Sequence, residues 1–134
     1  MNTQLALLGR IGLSLIFIIS GWGKIAGYAA TQGYMAAMGV PGALLPLVIA
    51  LELGGGLAIL AGAFTRWIAL AIAAFSLLSA AIFHADFGDA AQAISFWKNV
   101  AMAGGFLMLA AHGPGAFSVD ALLARRGGAI PARA

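Results

Sequence analysis

The chain has 134 residues, 63% of them hydrophobic and only 8% charged. A soluble domain carries about 25% charged residues, and one this short has a large surface to cover, so the composition excludes a water-soluble fold. The absence of cysteine removes disulfides, thiolate nucleophiles, Cys-ligated iron–sulfur clusters and Cys-based zinc sites, and a net charge of +3 is too small to imply a nucleic-acid partner.

Lipid is the remaining solvent, and a helix needs roughly 20 mostly apolar residues to cross it. The first candidate span covers about 4–23. Its apolar stretch is too long for a secretory h-region and contains Arg10, so it is expected to be a retained helix. Arg10, Ser14, Phe17, Gly21 and Lys24 recur at spacings of four, three, four and three, which puts them on one helix face. The two cations then stand about 21 Å apart along the axis at 1.5 Å per residue. Each could simply snorkel to its nearer headgroup layer.

Residues 28–38 are neither a polar loop nor a full span. Tyr28, Tyr34, Met35 and Met38 suit a short helix at headgroup level. Pro41 then opens a second span over 42–63. Glu52 lies near its middle, where no snorkelling rescues a carboxylate, and intramembrane acids are functional by default. Two uses compete for it: a structural one, as a buried pair with Arg10 or Lys24 or as a protonated Glu bonded to a carbonyl, or a proton-handling, ligand-binding one. Ala50, Gly54, Ala58 and Gly62 recur every fourth residue and predict a small-residue ridge for close helix packing.

A tight turn at Ala63-Phe64-Thr65-Arg66 leads into the third span, 67–83, which ends at Phe83-His84. A loop holding Asp86 and Asp89 precedes the fourth, 96–111, which opens with Trp97-Lys98-Asn99. Lys98, Met102, Gly105, Leu109 and His112 are expected to share its face. Gly113-Pro114-Gly115 ends the span, and Ser118 is placed to cap a second short helix over 119–126. Residues 127–134 read as a flexible tail. The expected architecture is all-α: one membrane domain, an antiparallel up-down four-helix bundle with two short interfacial helices.

Lys/Arg counts in short loops set orientation. Arg66, Arg125, Arg126 and Arg133 on one side against Lys24 and Lys98 on the other favour both termini in the cytoplasm. Lys24, His84, Lys98 and Asn99 then converge at the outer boundary. Lys24 leans inward and Glu52 outward, because helix side chains tilt toward their own N-termini. The predicted site is therefore an outward-facing polar pocket with Glu52 at its floor. His84 and His112 lie at opposite faces, which excludes a bis-His haem within one chain, and no metal site is expected.

These motifs resemble those of the DoxX family of small bacterial inner-membrane proteins. The resemblance is carried by Arg10 with Gly21-Trp22-Gly23-Lys24, then Glu52-Leu53-Gly54-Gly55-Gly56, Gly62-Ala63-Phe64-Thr65-Arg66 and Phe83-His84. Phe96-Trp97-Lys98-Asn99, Gly104-Gly105, Gly113-Pro114-Gly115 and Ser118-Val119-Asp120 continue it. It implies a four-helix membrane fold, similar to DoxD-type subunits associated with thiosulfate:quinone oxidoreductase. Some members are linked to membrane oxidoreductase complexes and to thiol or oxidative stress.

Three functions follow. The first is a subunit or accessory of a quinone-linked oxidoreductase, with quinone as ligand, Glu52 relaying a proton and Lys24, His84, Lys98, Asn99 and Arg10 binding. No redox centre is expected in the chain, so a redox partner protein would supply electrons. The second is a small transporter or permeation unit, which would need a homo-oligomer to enclose a lumen. The third is a non-catalytic assembly partner in the bilayer.

Overall fold

The computed structural model describes residues 2–128; Arg133 and the rest of 129–134 lie outside the described residues. Four helices are long and apolar enough to cross a membrane: α1 (Thr3–Ala26), α3 (Gly42–Ala61), α4 (Thr65–Phe83) and α5 (Ala90–His112). Two shorter ones, α2 (Tyr28–Ala37) and α6 (Val119–Arg126), follow the first and last of them. Exposed Trp22 and Trp97 mark one end of the bundle and exposed Trp67 the other, the positions at which amphipathic rings meet lipid headgroups.

The helix limits follow from local caps. Asn2 Oδ1 accepts the N–H groups of Gln4 and Leu5, so α1 starts there. α5 begins six residues before the predicted apolar span. Asp89 Oδ1 takes the N–H of Ala91 at 2.9 Å, and this cap starts a helix whose polar first turns precede the hydrophobic stretch. α4 lacks a local cap altogether. Its preceding residue, Phe64, has φ 49° and offers no side-chain acceptor. The carboxylate of Asp120 does this work across 55 residues, accepting Phe64 N–H at 2.8 Å and Thr65 N–H at 2.9 Å. Asp120→Ala should lower stability by about 1–2 kcal/mol, the scale of a lost helix cap. Thermal unfolding in nanodiscs checks this, and an unchanged midpoint would refute it.

The predicted stripe on α1 is its buried face: Arg10, Ser14, Phe17 and Gly21 are all buried. Phe17 meets Phe106 of α5 edge-on, with ring centroids 5.4 Å apart. Together with Ile59 and Ile72 they form an apolar layer across the bundle. α1 and α3 approach so closely that a Cβ on Gly21 would stand 2.7 Å from the backbone nitrogen of Leu53, and one on Gly56 2.9 Å from Ile18.

The predicted ridge on α3 does not pack in this way. Ala50 and Gly54 are exposed, and a Cβ on Gly54 would meet nothing within 4 Å. The contact residues are Gly55 and Gly56 instead. The cause lies in the backbone: Ala50–Gly54 is a π-helical segment, and the N–H of Gly55 reaches back five residues to the carbonyl of Ala50. A π turn adds a residue to the helix and shifts the phase of everything after it, so a strict four-residue spacing no longer marks one face. On α5 the predicted stripe faces the bundle through its middle, where Met102 and Leu109 pack against the core and Gly105 meets Leu13. Lys98 and His112 are exposed, while Ala103 and Phe106 are the buried positions.

Candidate functional site

Glu52 sits inside the π segment and is buried, with 4% of its surface exposed. The wider π turn swings its side chain toward the end of α1. Lys24 Nζ donates to both carboxylate oxygens, at 2.8 Å to Oε2 and 3.1 Å to Oε1. This is the one salt bridge among the described residues. The lysine side chain keeps 28% of its surface exposed, the carboxylate side chain 6%.

The pair stands in the wall between two cavities. The first, about 310 Å³, lies among α1, α3, α4 and α5 and has a mixed lining of polar and apolar side chains. Lys24, Glu52, His84, Lys98 and Asn99 all line it, with Ser20, Ser79 and Ser95. The second, about 300 Å³, lies among α2, α3 and α4 and is mainly apolar. Lys24, Glu52, Phe75, Ser79 and His84 border both. Each volume is at the lower edge of the roughly 300–1,000 Å³ of small-molecule sites.

The donor set is specific. His84 ends α4, and its Nδ1 lies 2.7 Å from Oε1 of Gln92. An amide oxygen can only accept, so in the neutral ring the proton sits on Nδ1 and Nε2 is the acceptor. Asn99 donates one amide N–H to the carbonyl of Ser95 in its own helix at 2.9 Å, which leaves its Oδ1 and one N–H for a ligand. Lys98 has no carboxylate partner among the described residues and offers three N–H donors. Two lysines against one glutamate give the cavity an excess of positive charge and favour electron-rich oxygen atoms in a ligand.

Arg10 is not part of this constellation. It is buried at the other end of α1, 1% exposed, beneath the α3–α4 turn and the start of α6. Its Nη2 donates to the carbonyl of Phe117. It stands about 21 Å along the helix from Lys24 and does not line the cavity that holds Lys24, Glu52, His84, Lys98 and Asn99. His112 likewise lies at the far end of α5 from His84. No group of three or more metal-ligating side chains occurs among the described residues.

Sequence reasoning overlooked Gln92, the π segment and the apolar cavity. The Gly54-Gly55-Gly56 run, one residue beyond Glu52, was the available sign of irregular helix. Nothing local marked Gln92 as the partner of His84.

A family model described as DoxX matches residues 5–85. The chain belongs to the DoxX family. Lys24, Glu52 and His84 fall inside the matched stretch, Lys98 and Asn99 beyond it. Among curated DoxX-type relatives, the chain is 56% identical over 120 residues to the inner membrane protein YqjF of Escherichia coli K12, covering 90% of this chain and 92% of that one. It is 43% identical over 123 residues to the inner membrane protein YphA of the same organism, covering 87% and 88%. No solved structure matches. This DoxX chain is thus an integral membrane protein with four spanning helices.

Proposed function

We propose that this protein provides the quinone site of a membrane-bound oxidoreductase system in a bacterial inner membrane. The carrying observation is the Lys24–Glu52 ion pair in the wall of a cavity that also holds His84, Lys98 and Asn99. A quinone headgroup needs donors for two carbonyl oxygens. Lys98 and the second amide N–H of Asn99 are donors of this kind. Reduction to quinol takes two electrons and two protons. The electrons come from a redox centre on a partner protein; Glu52 takes up a proton from the outer aqueous side, releases it to one carbonyl oxygen and is reprotonated for the second, with Lys24 balancing its charge between transfers. Arg66, Arg125 and Arg126 at the opposite end favour cytoplasmic termini, which sets the cavity in the outer half of the bilayer.

Permeation along the axis of a single bundle fits less well. Phe17, Ile59, Ile72 and Phe106 are buried across the bundle between the ion pair and the Arg10 end, so an apolar layer blocks the axis of the four helices.

The test is quinone reduction in membranes containing the protein and its native partners. Glu52→Gln keeps the side-chain volume and removes the transferable proton. It should cut the protein-dependent rate at least tenfold, within the about 10²–10⁴-fold that general acid–base groups contribute. Full activity in that variant would eliminate the relay.

A further inference from the structure

The second cavity has no part in the headgroup chemistry, yet it shares its inner wall with the more polar one. Its lining changes character from inside to outside. Lys24, Glu52 and His84 stand at the shared wall. Val48, Ile82 and Phe83 form apolar sides. Leu47 and Leu78, on α3 and α4, also line it and are 68% and 60% exposed on the bundle surface. Those exposed leucines belong to spanning helices, so the outer side of the cavity opens between α3 and α4 toward acyl chains. Above it, α2 supplies Thr31, Tyr34 and Met35, with Tyr34 stacked on Phe83 at 5.4 Å between ring centroids. The chamber is therefore covered at headgroup level and open sideways to lipid.

We infer that the apolar chamber holds the hydrocarbon tail of the ligand whose head occupies the more polar cavity. This rests on the quinone reading above and narrows it to long-chain, lipid-dissolved quinones that enter between α3 and α4. Three observations converge on that occupant. The two cavities adjoin at Lys24, Glu52, Phe75, Ser79 and His84, which line both. One offers charged and hydroxyl groups, the other mostly hydrocarbon. A ligand that needs both must carry a polar head and an apolar chain on one molecule. Burial of a chain is hydrophobically favourable only where water would otherwise cover it, so the chamber contributes selectivity by shape against the lipid rather than by hydrophobicity.

The experiment uses the full-length protein in nanodiscs and two probes with the same head: a dimethoxy-methyl-benzoquinone without a chain, and its decyl-chain analogue. Binding is read by quenching of the native tryptophans and corrected for partition of each probe into empty nanodiscs. Val48→Phe and Leu78→Phe each narrow the chamber from a different helix; Leu78 is exposed, so its variant leaves core packing intact. The wild type should bind the decyl probe at least tenfold more tightly than the tail-less one. Both variants should erase that advantage and change tail-less binding less than twofold. Equal affinity for the two probes in the wild type, or equal losses for both probes in the variants, would overturn the tail chamber and leave the quinone site standing. Failure of both probes to bind the wild type would overturn both readings.

Discussion

Lys24→Met is expected to destabilise the bundle by about 2–3 kcal/mol, and adding Glu52→Met is expected to recover most of that loss. Removing one member of a buried pair leaves the other without compensation, which costs about 3–5 kcal/mol in water-soluble interiors. A charge at the centre of a spanning helix costs about 2.5–3.5 kcal/mol on insertion scales. The lower range applies here because 28% of the Lys24 side chain remains exposed and screening reduces what the pair is worth. With both groups replaced by methionine, no unpaired charge remains, and apolar replacements of buried pairs are often neutral. Unfolding by SDS titration from mixed micelles measures all three proteins. Quinone binding separates the roles: the double variant should regain stability and still bind the tail-less quinone at least tenfold more weakly. If stability and binding both return, the pair only fixes helix register, and the assembly reading replaces the redox one.

The residues that make the fold legible in sequence are those whose rule is local. The stripe Arg10, Ser14, Phe17, Gly21 follows from α-helical periodicity, and it is the buried face of α1. Ser118 was expected to cap α6, and its Oγ accepts the N–H of Ala121. The site is partly legible for a similar reason. A carboxylate at mid-span must find a partner, and the inward lean of Lys24 supplies one at 2.8 Å. What the sequence conceals depends on a departure from periodicity or on distant chain. The π turn at Ala50–Gly54 breaks the phase of α3 and moves its close contact from Gly54 to Gly55 and Gly56. Asp120 caps α4 from 55 residues away. Arg10 shares the helix face of Lys24 and so reads as its companion, but about 14 residues of helical rise separate them and its contacts belong to the opposite end.

Two glycines on α3 and at its end provide the sharpest contrast in the molecule. Gly54→Ala should stabilise by about 0.5–1 kcal/mol, the entropy and propensity gain of alanine in a helix. Its backbone is helical, at φ −66°, and the added Cβ meets nothing within 4 Å. Gly62→Ala should destabilise by at least about 3 kcal/mol. Gly62 ends the helix in the left-handed region at φ 71°, which costs an L-residue about 1–2 kcal/mol. Its new Cβ would also overlap the guanidinium of Arg10 and the Cβ of Ser118, and Arg10 is too buried to retreat. The further loss comes from α6, because the carbonyl of Gly62 accepts the N–H of Asp120 at 3.0 Å and Asp120 in turn caps α4. Displacing that segment uncouples three elements at once. Trypsin should then cut at Arg125 and Arg126 at least tenfold faster than in the wild type, while Gly54→Ala leaves the cleavage rate unchanged. Equal stability and equal cleavage in the two variants would show that the Arg10 end of the bundle is not clamped by Gly62 and α6.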